Sequence, residues 1–304
     1  MRKGTRGVIQ SGRFHAIALG AAACLSFWPG GAARAEDASS WRELETKYIF
    51  GFTTGSGIGL EGEKEFTIDT VGRFGKRDGR YAATETKYEF EFTPSQFIQI
   101  EFGALGATHN IRGVTDLDDR NQVAFAGGFA EFRYLAIERT SNNPLSVTVA
   151  FEPNVRLIDE TSGEHVHNYE FETTINADLE LMKNRLYAGF NLLYEPEVTL
   201  TATDETLREA TFGGSAALAV RLAPNLLIGG EVWYLRHYDS PALTAFTGDA
   251  LLVGPTLYLQ FTPKMFMAAA WDVEVWGREA GNPLPLNLSE FQRHRAKLKF
   301  AYEF

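Results

Sequence analysis

Ala296-Lys297-Leu298-Lys299-Phe300-Ala301-Tyr302-Glu303-Phe304, the last nine residues of the chain, alternate without a break. Ala296, Leu298, Phe300, Tyr302 and Phe304 share one face; Lys297, Lys299, Ala301 and Glu303 share the other. A period of two is the signature of a β-strand with one apolar face. Chain termini are ordinarily polar and loosely held, whereas this one stops mid-pattern on an aromatic ring.

The stretch resembles the closing strand of bacterial outer-membrane β-barrels. That resemblance implies that Phe300, Tyr302 and Phe304 form the signal read by the outer-membrane assembly machinery. Working back from the terminus, short turns recur at Thr262-Pro263-Lys264, Ala223-Pro224-Asn225, Met182-Lys183-Asn184, Asn142-Asn143-Pro144 and Thr93-Pro94-Ser95. From Pro144 the spacing is 40 residues to Asn184, 40 to Pro224, 39 to Pro263 and 41 to the end. About forty residues is two long strands, a tight turn and a longer connection, so the repeating unit is a hairpin. The longer connections are expected near Gly75 to Arg80, Ala107 to Gln122, Asp159 to Asn168, Glu197 to Thr206, Asp239 to Gly248 and Gly277 to Glu290. Six hairpins predict an all-β fold, a transmembrane antiparallel up-and-down barrel of about twelve strands over residues 62–304, with its tight turns on the periplasmic side.

Apolar side chains recur at every second position through most of this span, as in Tyr88-Phe90-Phe92, Phe190-Leu192-Tyr194 and Met267-Ala269-Trp271. These face lipid in a barrel, and the polar residues between them face the lumen. Val123 to Ile137 is less regular, and Phe132 and Tyr134 are assigned to its lipid face. A soluble β-sandwich also alternates, but it lacks the even spacing of long strands and the terminal aromatic. Thr46 to Thr53 reads as one strand too many. It is expected to fold into the lumen, to cross the periplasmic mouth, or to replace a miscounted strand. The flexible Gly55 to Gly62 stretch and the following Glu63-Lys64-Glu65-Phe66 loosely resemble predicted outer-membrane families, including the group named after the meta-pathway of phenol degradation. That resemblance implies a solute channel.

At the other end, Arg2, Lys3, Arg6 and Arg13 precede an apolar run from Ala16 to Trp28 and then Ala33-Arg34-Ala35. This is the pattern of a secretory signal peptide, residues 1–35, too short to span a bilayer as a helix. Cys24 lacks the upstream leucine of a lipoprotein site. Residues 36–61 form a periplasmic lead-in and possible lumen segment. Cleavage after Ala35 removes the one cysteine and leaves 24 Lys and Arg against 39 Asp and Glu. A cysteine-free acidic chain has no disulfide framework, thiolate metal site or thiol nucleophile, and its charge argues against nucleic acid. The expected location is the outer membrane of a Gram-negative bacterium. Outer-membrane lipid, the assembly machinery and an unidentified small solute are the implied partners.

The inward face is charged. Lumen-lining candidates are Glu89, Glu91, Glu101, Glu131, Glu152, Glu170, Glu172, Asp178, Glu180, Asp272 and Glu274, with Arg295, Lys297 and Lys299 opposite. Carboxylates outnumber bases, and carboxylate rings favour cations in a water-filled pore. The leading expectation is a passive channel for small neutral or cationic solutes. Its rivals are a closed, ion-paired barrel acting through its outer loops, and an outer-membrane lipid-modifying enzyme. Asp272 and Glu274 beside Arg295, Lys297 and Lys299 predict a cross-strand charge ladder.

No Ser-x-His or His-x-Ser pair supports a barrel hydrolase, so no catalytic residue is assigned. His109, His165, His167, His237 and His294 fall in or beside the expected outer connections, where histidines are usually solvated. His165-Val-His167 could offer two imidazoles to a metal, and Asp116, Asp118 and Asp119 could offer carboxylates to a hard cation. Neither makes a full ligand set, so no metal and no cofactor are expected.

Overall fold

The structure, a computed structural model, describes residues 44–140 and 142–304; the expected signal peptide and Cys24 lie outside the described residues. Twelve strands follow one another along the chain: β1 (Lys64–Phe74), β2 (Arg80–Ser95), β3 (Ile98–Arg112), β4 (Arg120–Ile137), β5 (Leu145–Ile158), β6 (His165–Met182), β7 (Leu186–Thr201), β8 (Thr206–Ala223), β9 (Leu226–Tyr238), β10 (Phe246–Thr262), β11 (Met265–Glu279) and β12 (His294–Glu303). Each pairs antiparallel with its neighbour, and β1 closes on β12 with Glu65 opposite Glu303 and Phe74 opposite His294. The predicted twelve-stranded barrel is the observed one. Closure leaves no unpaired edge, the condition for placing strands in hydrocarbon.

The strands are 10 to 18 residues long, against the ~9–11 needed to cross a bilayer. Several therefore continue past the apolar band, and the longer connections shrink. The expected loop Ala107 to Gln122 is only residues 113–119, and Glu197 to Thr206 only 202–205. Polarity misplaces these boundaries for a physical reason. Beyond the hydrocarbon both faces of a strand can be polar, so a polar run marks the membrane level and not the end of the ladder. The short turns gather at one end of the barrel, the turn end, and the longer connections at the other, the loop end.

Phe66, Tyr88, Phe102, Phe132, Phe151, Phe190, Leu218 and Trp271 point outward and are exposed, as are Phe300, Tyr302 and Phe304. In β4 the parity changes midway: Val123 (84 % exposed) and Phe125 (65 %) face outward beside Phe132 and Tyr134. The pairing with β3 explains the change, since Gly106 faces Phe125 and Leu105 faces Gly127, which leaves Ala126 as an extra, bulged residue. Gly127 has φ +139°, and a Cβ there would lie 2.0 Å from the Val155 carbonyl oxygen. Odd positions before the bulge and even ones after it share the outer face, which no single period describes.

Residues 44–59 fold inside the barrel, and here the strand reading of Thr46 to Thr53 is corrected. Thr46–Tyr48 forms one 3₁₀ turn, and only an isolated bridge joins Phe50 to Thr53. A closed wall offers no free edge, so the segment cannot join the sheet and must satisfy itself against inward side chains. It makes a hairpin-like excursion that turns back at Gly51 (φ +86°), where a Cβ would come within 2.8 Å of Ala270 Cβ. Tyr48, Ile49 and Phe50 pack with Tyr187, Leu227, Tyr258 and Phe266. Burying Ile49 and Phe50 completely stabilises the insertion by about 1.5–3 kcal/mol each.

Candidate functional site

Four wall carboxylates, Glu91, Glu101, Asp178 and Glu231, hold the excursion. Lys47 Nζ lies 2.8 Å from Glu91 Oε2 and 3.0 Å from Gln99 Oε1, and it also bonds Glu101. Burial alone would lower the Lys47 pKa, but the Glu101 and Glu91 carboxylates together raise it above the ordinary lysine value. Asp178 Oδ2 accepts from Thr46 Oγ1 at 2.6 Å, Ser56 N at 2.7 Å and Ser56 Oγ at 2.6 Å, tying the two limbs together. Glu231 accepts from Phe52 N at 2.8 Å, Thr53 N at 2.6 Å and Thr53 Oγ1 at 2.8 Å. The Arg295 guanidinium lies 4.1 Å from the centre of the Phe52 ring. Buried charges are tolerated when paired and hydrogen-bonded, and the inserted segment adds donors to those of the wall itself, Arg139 at Asp178 and the Trp233 indole at Glu231.

Toward the loop end a cavity of about 580 Å³ remains, floored by Lys47, Tyr48, Gly51, Phe52 and Thr54. Fourteen Asp and Glu and eight Lys and Arg line it. They are unevenly distributed. Around β1 and β12, Lys297 and Lys299 stand 3.2 and 3.4 Å from Asp69, and Lys299 is 2.8 Å from Glu89. Lys87 pairs with Glu152 across the lumen, and Arg73 meets Glu160 at 2.6 Å. On β6 to β8 the surplus collects: Glu170, Glu172 and Glu195 bring carboxylate oxygens within 4.8 Å of one another, with Glu197 and Glu209 beyond. Arg156 serves Glu170 (3.0 Å) and Glu85. Among the described residues, Glu172 and Glu195 make no ion pair. The result is a field running across the cavity from a basic to an acidic wall.

The candidates named from sequence separate into groups. Glu89, Glu101, Glu131, Glu152, Glu170 and Glu172 line the cavity; Glu131 pairs with Arg133 at 3.3 Å. Glu91 and Asp178 instead grip the excursion. Glu180 sits at the turn end, accepting from Asn184 N and, at 3.5 Å, from the Tyr187 hydroxyl. Of the expected ladder one rung forms, Arg295 to Asp272 at 2.7 and 2.9 Å. Lys297 and Lys299 turn toward β1 and β2, and Glu274 accepts from Asn287 N at 2.7 Å.

Two features escaped the sequence reading. One is the β11–β12 connection, residues 280–293, which folds into the loop-end mouth. Its Asn287 is fully buried, and Phe291 packs with Leu193, Trp233, Leu235 and Leu252. The apolar residues of this connection, Leu284, Leu286, Leu288 and Phe291, were the available signal. The other is the histidines. His165 and His167 are exposed, but His109 is 2 % exposed with Nε2 3.1 Å from the Glu160 carbonyl oxygen. His237 is also largely buried, on the cavity wall. The longer strands carry both onto the lumenal face, which corrects the expectation that they are solvated. Among the aspartates of the β3–β4 connection, Asp119 accepts from Gly113 N at 2.6 Å, a loop-capping contact.

The chain resembles solved barrels in fold. An outer-membrane channel from Pseudomonas putida F1 superposes with a TM-score of 0.58 at 8 % identity, covering 82 % of this chain and 97 % of that one. A structure of the NanC porin gives 0.48 at 11 % identity (78 % and 98 % covered). The translocator domain of the autotransporter NalP from Neisseria meningitidis gives 0.46 at 12 % identity (81 % and 90 %). The fold is that of the bacterial outer-membrane β-barrels. No curated protein matches the chain. Residues 43–304 match a family described as a family of unknown function (DUF6662).

Proposed function

The chain belongs to DUF6662, a family of unknown function, and from the charge distribution of its lumen we propose that it is a passive outer-membrane channel for small cationic or neutral solutes, narrowed from within by residues 44–59. The observation that carries this reading is the acidic wall. Glu172 and Glu195 face the cavity without an ion pair among the described residues, beside Glu170 and Glu197. A barrel that needed only bracing would neutralise such groups or replace them, since uncompensated charge is costly. Facing the cavity, ionised carboxylates attract cations and repel anions. The role is passage, not catalysis.

A second reading, a closed barrel acting through its loop-end connections, draws on one observation: the dense anchoring of the excursion at Glu91, Asp178 and Glu231. One experiment separates the two. Single-channel recording in planar bilayers under a KCl gradient is made on the wild type, on a variant lacking residues 44–60 and on E172Q/E195Q. A channel gives cation-preferring steps, larger in the deletion, with the reversal potential moving toward zero in E172Q/E195Q. If neither wild type nor deletion conducts while both show the heat-dependent gel mobility of folded barrels, the channel reading falls.

A further inference from the structure

At the loop-end rim of the acidic wall, one nitrogen of His237 faces two carboxylates from separate stretches of chain. Its Nε2 lies 3.7 Å from Glu209 Oε1 and 3.8 Å from Glu290 Oε2. An N–H···O hydrogen bond needs 2.7–3.2 Å, so the ring nitrogen sits between two carboxylates and bonds to neither. Those separations suit atoms that share one small cation. Ligands held at about 2.0–2.2 Å from a common ion lie roughly 3–3.5 Å apart. Asp239 adds a third carboxylate, and one ligand atom each from Glu209, His237 and Asp239 fall within 4.8 Å of one another.

The other ring nitrogen is also placed. His237 Nδ1 faces Thr211 Oγ1, its direct cross-strand neighbour, at 3.4 Å, a contact longer than an ordinary hydrogen bond. A ligating imidazole usually has its second nitrogen oriented by such a group. Glu209 and Glu290 thus crowd one ring nitrogen, with the Lys76 ammonium held nearby on the Ser289 and Phe291 carbonyls. Carboxylates crowded in this way are relieved by a divalent ion.

We propose that His237, Glu209, Asp239 and Glu290 form a binding site for a divalent first-row transition-metal ion at the loop-end mouth of the lumen. One imidazole with oxygen donors suits zinc or manganese better than calcium or magnesium, which prefer all-oxygen shells. The ligands come from β8, from β9 and the connection after it, and from the inserted β11–β12 connection. Metal binding therefore fastens that connection to the β8–β9 part of the wall. The inference is independent of solute passage.

The test is isothermal titration of ZnCl2, and separately MnCl2, into the intact barrel purified folded in detergent and stripped with chelator. Wild type should bind one Zn2+ per barrel. H237N should weaken binding at least tenfold, E290Q should weaken it while leaving the wall intact, and H165N/H167N should bind as wild type. Heat-dependent gel mobility identifies any variant that has not folded, and E290Q, in a connection, keeps the question answerable if H237N fails to fold. Absence of stoichiometric binding by the wild type, unchanged affinity in both H237N and E290Q, or loss confined to H165N/H167N overturns the site.

Discussion

Lys47 places its ammonium 2.8 Å from the Glu91 carboxylate where neither side chain is more than 4 % exposed. The pair is contributed by the inserted segment and by β2, so it joins the contents of the barrel to its wall. Removing one partner of a buried ion pair costs about 3–5 kcal/mol because the other charge stays behind. Lys47→Met should therefore lower the urea midpoint of unfolding, and adding Glu91→Gln should recover part of the loss. Unchanged midpoints would mean that the segment is not held by this pair.

Thr53 Oγ1 and Ser215 Oγ are 2.9 Å apart, one on the excursion and one on β8. Side chains this close suit the Cβ separation of about 3.5–4.5 Å that a disulfide needs. With no other cysteine beyond Cys24 in the chain, T53C/S215C should cross-link under mild oxidation and shift gel mobility, whereas T53C alone should not. Failure of the double variant to cross-link in a folded barrel would remove residue 53 from the lumen.

Gly127 carries both a left-handed φ and a Cβ position 2.0 Å from the Val155 carbonyl oxygen. Backbone strain of this type costs on the order of 1–3 kcal/mol, before the clash is relieved. Gly127→Ala should lower the thermal unfolding temperature clearly. Gly230→Ala, with its nearest neighbour at 3.4 Å and no positive φ, should be close to neutral. Equal effects would show that the β4 bulge is not the constraint.

Lys76, in the β1–β2 connection, donates to the Ser289 carbonyl at 2.7 Å and the Phe291 carbonyl at 2.8 Å. Burial pushes its pKa down to about 8, against the opposing pull of Glu290. An unfolded lysine titrates near ~10.4, so between about 8 and 10.4 the unfolded chain binds more protons and stability rises with pH through that window. Below it, the cost of burying the ammonium is fully present. NMR of the 13C-dimethylated protein should show one lysine titrating near 8 that disappears in K76R. A lysine set titrating entirely above 10 would refute the assignment.

Strand number, hairpin order and the outward faces were legible because lipid imposes one rule on every spanning strand, and Phe190, Leu192, Trp271 and Phe300 obey it residue by residue. The bulge at Gly127 was not, since it changes parity without changing composition. Nor was the fate of Thr46 to Thr53, whose mixed sequence answers two different walls, polar at Glu91 and Asp178 and apolar at Tyr187 and Phe266. The inward carboxylates could be named, but their sorting into paired and unpaired groups depends on which strands face each other across the lumen. His237 shows the same limit: its ligating company comes from three separate stretches of chain.

The two limbs of the excursion are clamped side by side by Asp178, and the second leaves at the turn end, where Gly62 N donates to the Thr93 carbonyl at 2.8 Å. The segment is thus a stopper and not a thread. Because the fold-back at Gly51 stays inside the barrel and the wall closes strand to strand without it, the described part of the segment contributes no rung to the ladder it fills.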